Sequence, residues 1–195
     1  MLSVLKQATQ QLHDDLETVS YADAILSSKL TLSEYEDLMC KNIAIYNYLE
    51  PVLNEKLANS TNEYFHSFQS HRQVDLQKDL NSLNFNCKPH LAIPNLLLND
   101  FTDDKLLGYL YVLEGARLGG KVVLKALRKN IQLSHLTSFH FYEQPNINVR
   151  ARWMAFIEIA NQHLTNPQLK NTIQGAQEMF QFFITVFENS LNNNK

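Results

Sequence analysis

Residues Leu107–Lys125 read LGYLYVLEGARLGGKVVLK, and they hold four of the chain's five glycines: Gly108, Gly115, Gly119 and Gly120. The flanks are apolar and recur at helical spacing through Leu106, Leu107, Leu110 and Leu113, then Leu118, Val122, Val123 and Leu127, as in a buried helix. Each glycine inside a helix costs about 1 kcal/mol relative to alanine, so Gly115, Gly119 and Gly120 together cost on the order of 3 kcal/mol. That is a large share of a domain's net stability. Glycine lets helix backbone approach another object closely, and it tolerates a kink. A Gly115-xxx-Gly119 pair alone suits small-residue packing of helix on helix. The third glycine, Gly120, shifts the reading toward a flat ligand lying on bare backbone.

Around this stretch the chain reads as one all-α domain spanning residues 1–195. Its 195 residues are enough for a substantial core, and 45% hydrophobic with 19% charged residues suits a soluble globular protein. The net charge of −3 argues against a nucleic-acid partner, which calls for clustered Lys and Arg. No apolar run approaches the ~20 residues of a membrane span. MLSVLKQATQ has no basic leader followed by an apolar run, so no signal peptide is expected. Cys40 and Cys87 are too few and too far apart to suggest a disulfide framework, and reduced thiols in a cytoplasm are the simpler expectation.

Periodicity predicts a first helix over Ser3–Val19, a short one near Tyr21–Leu26, and a long one opened by Thr31 with Glu34 in capping-box spacing. Pro51 is expected to kink or break that long helix. A further helix over His71–Leu83 is expected to bury Val74, Leu76, Leu80 and Leu83. Thr102 is expected to cap the glycine-bearing helix, with Asp103 and Asp104 in its first turn. SFHFYEQPNINV is a loop or a short strand. Asn148 opens a helix through His163, and Asn166–Pro167 opens the last, whose stripe includes Ala176, Phe180, Phe183 and Phe187.

Among chemistry-bearing residues, His13 stands on the first helix with Glu17 four residues on, so the carboxylate reaches a ring nitrogen. A carboxylate on one nitrogen fixes the tautomer and leaves the other for a metal, haem iron included. Glu63 and His66 have the Glu-x-x-His spacing of di-iron helical proteins but no second copy. Cys87 and His90 lack the partners of a zinc site. Arg128–Lys129 reads as a solvated helix end, and Trp153 and Phe156 as core. G-x-S-x-G, P-loop and G-x-G-x-x-G patterns are absent.

LKQATQQLHDDLE near the start and YVLEGARLGGKVV near the middle together resemble the haem oxygenase family, nearest to its soluble, biliverdin-producing bacterial members, including those serving bacteriophytochromes. The first matches the pattern L-[KR]-x-A-T-x-x-x-H, and the second matches the glycine-rich distal helix. Looser likenesses in LTLSEYEDLM, YNYLEPVL, HRQVDLQKDLNSL, RWMAF and AQEMFQFF extend it over nearly the whole chain.

The resemblance implies a multi-helical bundle holding haem between the first helix and a glycine-kinked distal helix. His13 matches the proximal iron ligand, Glu17 its hydrogen-bond partner, and Lys6 a basic residue that meets a haem propionate. Gly115, Gly119 and Gly120 match the distal glycines whose backbone lies against the porphyrin and leaves room for oxygen. The implied reaction consumes haem and O2, with electrons from an external donor such as ferredoxin or a reductase, and yields biliverdin, carbon monoxide and ferrous iron. Mammalian-type members carry an aspartate directly after the first distal glycine; this chain has Ala116 there, followed by Arg117. Protons are then expected from water held by backbone carbonyls of the glycine-rich turn or by a side chain arriving from elsewhere, with Arg117→Ala retaining most turnover. Arg150 and Arg152 are candidates for a second propionate anchor. The alternative is a non-catalytic haem carrier or sensor on the same fold.

Overall fold

The computed structural model describes residues 2–85, 87, 93, 102–145, 147–163 and 166–189, with His163, Asn166 and Pro167 as backbone alone. In chain order these form α1 (Leu2–Val19), α2 (Ala22–Leu26), α3 (Leu32–Asn59), a 3-10 turn (Glu63–Phe68), α4 (Arg72–Leu83), α5 (Asp103–Leu127), a second 3-10 turn (Ile131–Leu133), α6 (His140–Glu143), α7 (Val149–His163) and α8 (Asn166–Asn189). The described residues contain no strand, so the segment left open between loop and strand holds the four-residue α6 and leads into α7.

Helix starts follow the caps. Thr31 Oγ1 accepts from the Glu34 amide at 3.2 Å while Glu34 Oε2 accepts from the Thr31 amide at 2.8 Å, a complete capping box. Asn148 Oδ1 accepts from the Ala151 amide at 3.0 Å and opens α7. Thr102 sits at the N-cap of α5 with extended backbone, but its side chain makes no cap bond. Pro51 lies inside α3, which runs on to Asn59. The proline is exposed, so its missing amide bond is lost on the solvent side of a helix held by a buried face through Tyr46, Leu49 and Leu53. Val74, expected in the core, is 49% exposed because α4 buries Leu76, Asp79 and Leu80 instead.

The centre of the molecule is the crossing of α5 over α8, which brings backbone against backbone. A Cβ on Gly108 would lie 2.1 Å from the Thr172 carbonyl oxygen, and one on Gly175 would lie 2.4 Å from that of Lys105. Only glycine fits at either point. Polar bonds pin the crossing: Thr172 Oγ1 donates to the Asp104 carbonyl at 2.9 Å. Lys105 Nζ and Tyr109 Oη each donate to the Glu178 carboxylate at 2.8 Å. α1 packs on the other side of α8, and Gln177 Nε2 donates to the Ala8 carbonyl at 3.1 Å.

Two links tie the outer elements. Asp79 of α4 is fully buried and accepts from the His140 and Phe141 amides, each at 2.8 Å, so it caps α6 from a distance. Cys40 of α3 and Cys87 form a disulfide, which corrects the expectation of free thiols. Their 47-residue separation hid the pairing, because α3 and α4 fold back on each other and bring the two ends together.

Candidate functional site

His13 stands on the outer face of α1, its side chain 51% exposed. Its Nδ1 lies 3.7 Å from Glu17 Oε1 and 3.8 Å from Asp14 Oδ1, inside ion-pair range and beyond hydrogen-bond length. The ring meets Phe180 of α8 edge-on, with centroids 6.0 Å apart. With Nδ1 turned toward two carboxylates, Nε2 is the nitrogen left for an outside ligand. His13, Asp14 and Glu17 form the only group of three metal-ligating types found together among the described residues. Lys6 is exposed two turns earlier on α1 and so shares the face of His13.

The distal candidates separate into two kinds. A Cβ on Gly119 would meet nothing within 4 Å, and one on Gly115 would meet only Trp153 Cζ3, at 3.9 Å. These two glycines point about 40° apart on the helix, toward open space. They do no helix packing; that task belongs to Gly108 and Gly175. Gly120 lies about 140° from Gly115. There a Cβ would come 3.5 Å from Tyr142 Cδ1, an ordinary contact. Burial pushes the Tyr142 phenol up, so Gly120 faces a neutral ring.

Behind this stretch lies a buried polar network that periodicity did not reveal. Arg117 donates through one terminal nitrogen to Gln144 Oε1 and through the other to Ser70 Oγ at 2.9 Å. Its Nε lies 3.5 Å from Glu114 Oε2, which also accepts from Arg152 Nε at 2.7 Å. Burial, then the nearby Arg72 guanidinium, lower the Arg117 pKa to about 10 against the pull of Glu114, so it stays charged at neutral pH. The signal was there to read: Glu114 and Arg117 are opposite charges three residues apart inside an apolar helix.

Other candidates fall away for structural reasons. Arg152 spends four of its five N–H groups on Glu114 and on the carbonyls of Ser67, Phe68 and Gln69, which commits it to the fold rather than to a propionate. Arg150 is exposed. Glu63 and His66 sit on a 3-10 turn, both exposed, and His66 Nε2 is 3.0 Å from the Ser60 carbonyl, so no di-iron site forms there. Cys87 is consumed by the disulfide, and His90 lies outside the described residues. Arg128 bonds Glu143 at 2.9 Å, half-exposed as a helix end should be. Phe156 is core, and Trp153 stacks on it while partly exposed.

The residues present fit a haem: a half-exposed histidine backed by carboxylates, and a helix face whose missing side chains leave open space. Comparison with known proteins points the same way. The family model described as Heme oxygenase matches residues 1–189. A heme oxygenase of Xanthomonas campestris pv. campestris is 38% identical over 80 residues, which are 40% of this chain and 47% of that protein. The alignment thus spans about half the length of that curated relative.

Three solved structures share the fold. Heme oxygenase from Leptospira interrogans superposes with a TM-score of 0.76 at 16% identity, over 96% of this chain and 98% of that one. The NO- and CO-bound enzyme from Neisseria meningitidis gives 0.71 at 20%, over 97% and 91%. Heme oxygenase-1 from Synechocystis sp. PCC6803, in complex with heme, gives 0.72 at 16%, over 98% and 92%. Among the described residues no helix is long and apolar enough to cross a membrane. By its sequence from residue 1 to 189 and by its fold, the chain belongs to the haem oxygenase family.

Proposed function

We propose that this protein is a haem oxygenase that opens haem to biliverdin and releases carbon monoxide and ferrous iron. It would use O2 and electrons from an external donor such as ferredoxin or a reductase. The observation that carries the reading is the open pair Gly115 and Gly119. A Cβ on Gly119 would meet nothing and one on Gly115 only Trp153 at 3.9 Å, so packing within the fold does not account for two helix-destabilising residues there.

The bound haem supplies the iron at which oxygen is activated. The chain's own residues do the rest. His13 would bind the iron through Nε2, with the Asp14 and Glu17 carboxylates standing on the side of Nδ1. Lys6 would pair with a propionate. Gly115 and Gly119 would offer bare backbone to the haem, and Gly120 would continue that surface through its backbone while its own Cβ side is taken by Tyr142. Ala116 brings no carboxylate and Arg117 faces the interior, so protons come from water held on backbone carbonyls of the glycine-rich turns.

The proposed compartment is the cytoplasm, where reduced electron donors are at hand. The Cys40–Cys87 bond tests that placement, because disulfides persist chiefly in oxidising compartments. Thiol trapping in intact cells reads it: Cys40 and Cys87 trapped as free thiols support the cytoplasm, and quantitative oxidation moves the protein to an oxidising compartment. The activity is tested by loading the protein with haem, adding a ferredoxin reducing system in air, and following biliverdin absorbance and carbon monoxide. Haem that persists for hours with neither product marks a carrier or sensor.

A further inference from the structure

A helix that presents bare backbone to a ligand has no side chains on that face to set its own position. Something on the opposite face must do so. Arg117 lies about 180° around α5 from the midline of Gly115 and Gly119. Its side chain is 3% exposed. The guanidinium reaches Gln144 at the end of α6, Ser70 in the link before α4, and Glu114 on α5 itself.

Each partner is itself tied down. Gln144 Nε2 donates to the Phe141 carbonyl at 3.2 Å. Ser70 Oγ donates to Glu50 Oε1 at 2.7 Å, and its amide donates to Asn54 Oδ1 at 2.9 Å. Glu114 is joined to α7 through Arg152. Apolar packing behind this part of α5 is incomplete, because a cavity of about 20 Å³, enough for about one water, lies against Leu110, Leu113, Glu114 and Arg117. Replacing buried ion pairs by apolar residues is often neutral or even stabilising, so stability alone is a weak reason for a guanidinium bonded to two distant segments, with its Nε left unbonded 3.5 Å from Glu114.

We propose that Arg117 is the positioning residue of the distal helix: anchored to Gln144, Ser70 and Glu114, it fixes how far Gly115 and Gly119 reach toward bound haem. The inference rests on the haem oxygenase reading. It assigns no proton transfer to Arg117, and it revises the view from sequence that the residue is dispensable. Loss of the fork lets the helix shift, and a displacement of order 1 Å near reacting atoms costs up to ~10²-fold in rate.

The test uses Arg117→Met, which keeps bulk and leaves Glu114 paired with Arg152 and Ser70 with Glu50. Haem affinity and the iron–histidine stretch should match wild type, because His13 lies on another helix. The C–O stretch of the ferrous carbon monoxide adduct should shift, biliverdin isomers should change in proportion, and kcat should fall about tenfold. Arg117→Lys, which keeps charge without the fork, should fall between. A folded Arg117→Met with wild-type C–O stretch, isomer ratio and kcat overturns the proposal, as does a lowered apo melting temperature with those three unchanged. If Arg117→Met does not fold, Ser70→Ala removes one tether at little volume cost. It should shift the C–O stretch in the same direction, and a wild-type stretch there overturns the proposal. Wild-type protein that makes no biliverdin refutes the oxygenase reading alone, since the C–O stretch still reports helix position.

Discussion

Gly108 and Gly119 sit on one helix, eleven residues apart, and do opposite things. At Gly108 the missing side chain is replaced by the backbone of α8, and a Cβ there would strike the Thr172 carbonyl. At Gly119 the missing side chain is replaced by nothing. One glycine is therefore part of the folded core, and the other is a cost carried by the apo protein. A glycine's neighbours, and not its place in a helix, say which kind it is.

The largest expected effect tests the packed end. Gly108→Ala should destabilise by about 3 kcal/mol or more, since a carbonyl at the α5–α8 crossing has nowhere to move. The same substitution at Gly119 should stabilise the apo protein by up to about 1 kcal/mol, the helix-propensity gain. Urea melts of the two variants settle it: if both shift the same way, the contrast between the two ends is wrong.

Next come the ligand-side effects at the open end. Gly119→Leu should leave the apo melt near wild type while abolishing turnover or haem uptake, because leucine fills the space assigned to porphyrin and oxygen. Gly120→Leu should lower apo stability as well, since its side chain would run into Tyr142. A Gly119→Leu protein that still turns over haem at the wild-type rate would falsify the open-face assignment. His13→Ala should lose the histidine-ligated haem spectrum with little change in apo stability, because the residue is half-exposed. An unchanged iron–histidine vibration in that variant would mean a different ligand.

The smallest effect is a pH dependence at the packed crossing. Burial alone would raise Glu178, but bonds from Lys105, Tyr109 and Gln174 outweigh it and hold the carboxyl below its usual range. A depressed folded pKa gives stability that is present above the unfolded value of about 4.3 and lost as pH falls through the folded one. Asp79 runs the other way: burial holds it high despite the Phe141 and His140 amides, so its contribution to stability rises as pH falls. Comparing wild type with Glu178→Gln isolates the first term. Wild-type stability should fall more steeply below about pH 4.3 than the variant's, and parallel curves would remove Glu178 from the account.

Much of this was legible in the chain. The capping box at Thr31, the stripe of α8 and the His13–Glu17 spacing are local patterns, and local patterns survive folding. What was illegible depends on contacts between distant residues. Gly175 drew no notice because its role appears only when α5 crosses α8. Pro51 looked like a break because sequence does not show that its side of α3 faces water. Arg152 looked like a free cation until α7 carried it onto Glu114 and three carbonyls. The cysteine pair needed the α3–α4 fold-back. Three distal glycines read as one motif became two kinds once Tyr142 was seen beside Gly120.

The Asp79 cap has a consequence for the order of folding. A four-residue helix cannot meet its nucleation cost alone, so α6 cannot form before α4 presents that carboxylate from 61 residues away. Closing so long a loop is slow relative to helix formation within α1 or α8. The wall made by Tyr142 and Gln144 is therefore a late acquisition on the folding path. Because one buried carboxylate holds both, the His140 and Phe141 amides should exchange with solvent as one unit.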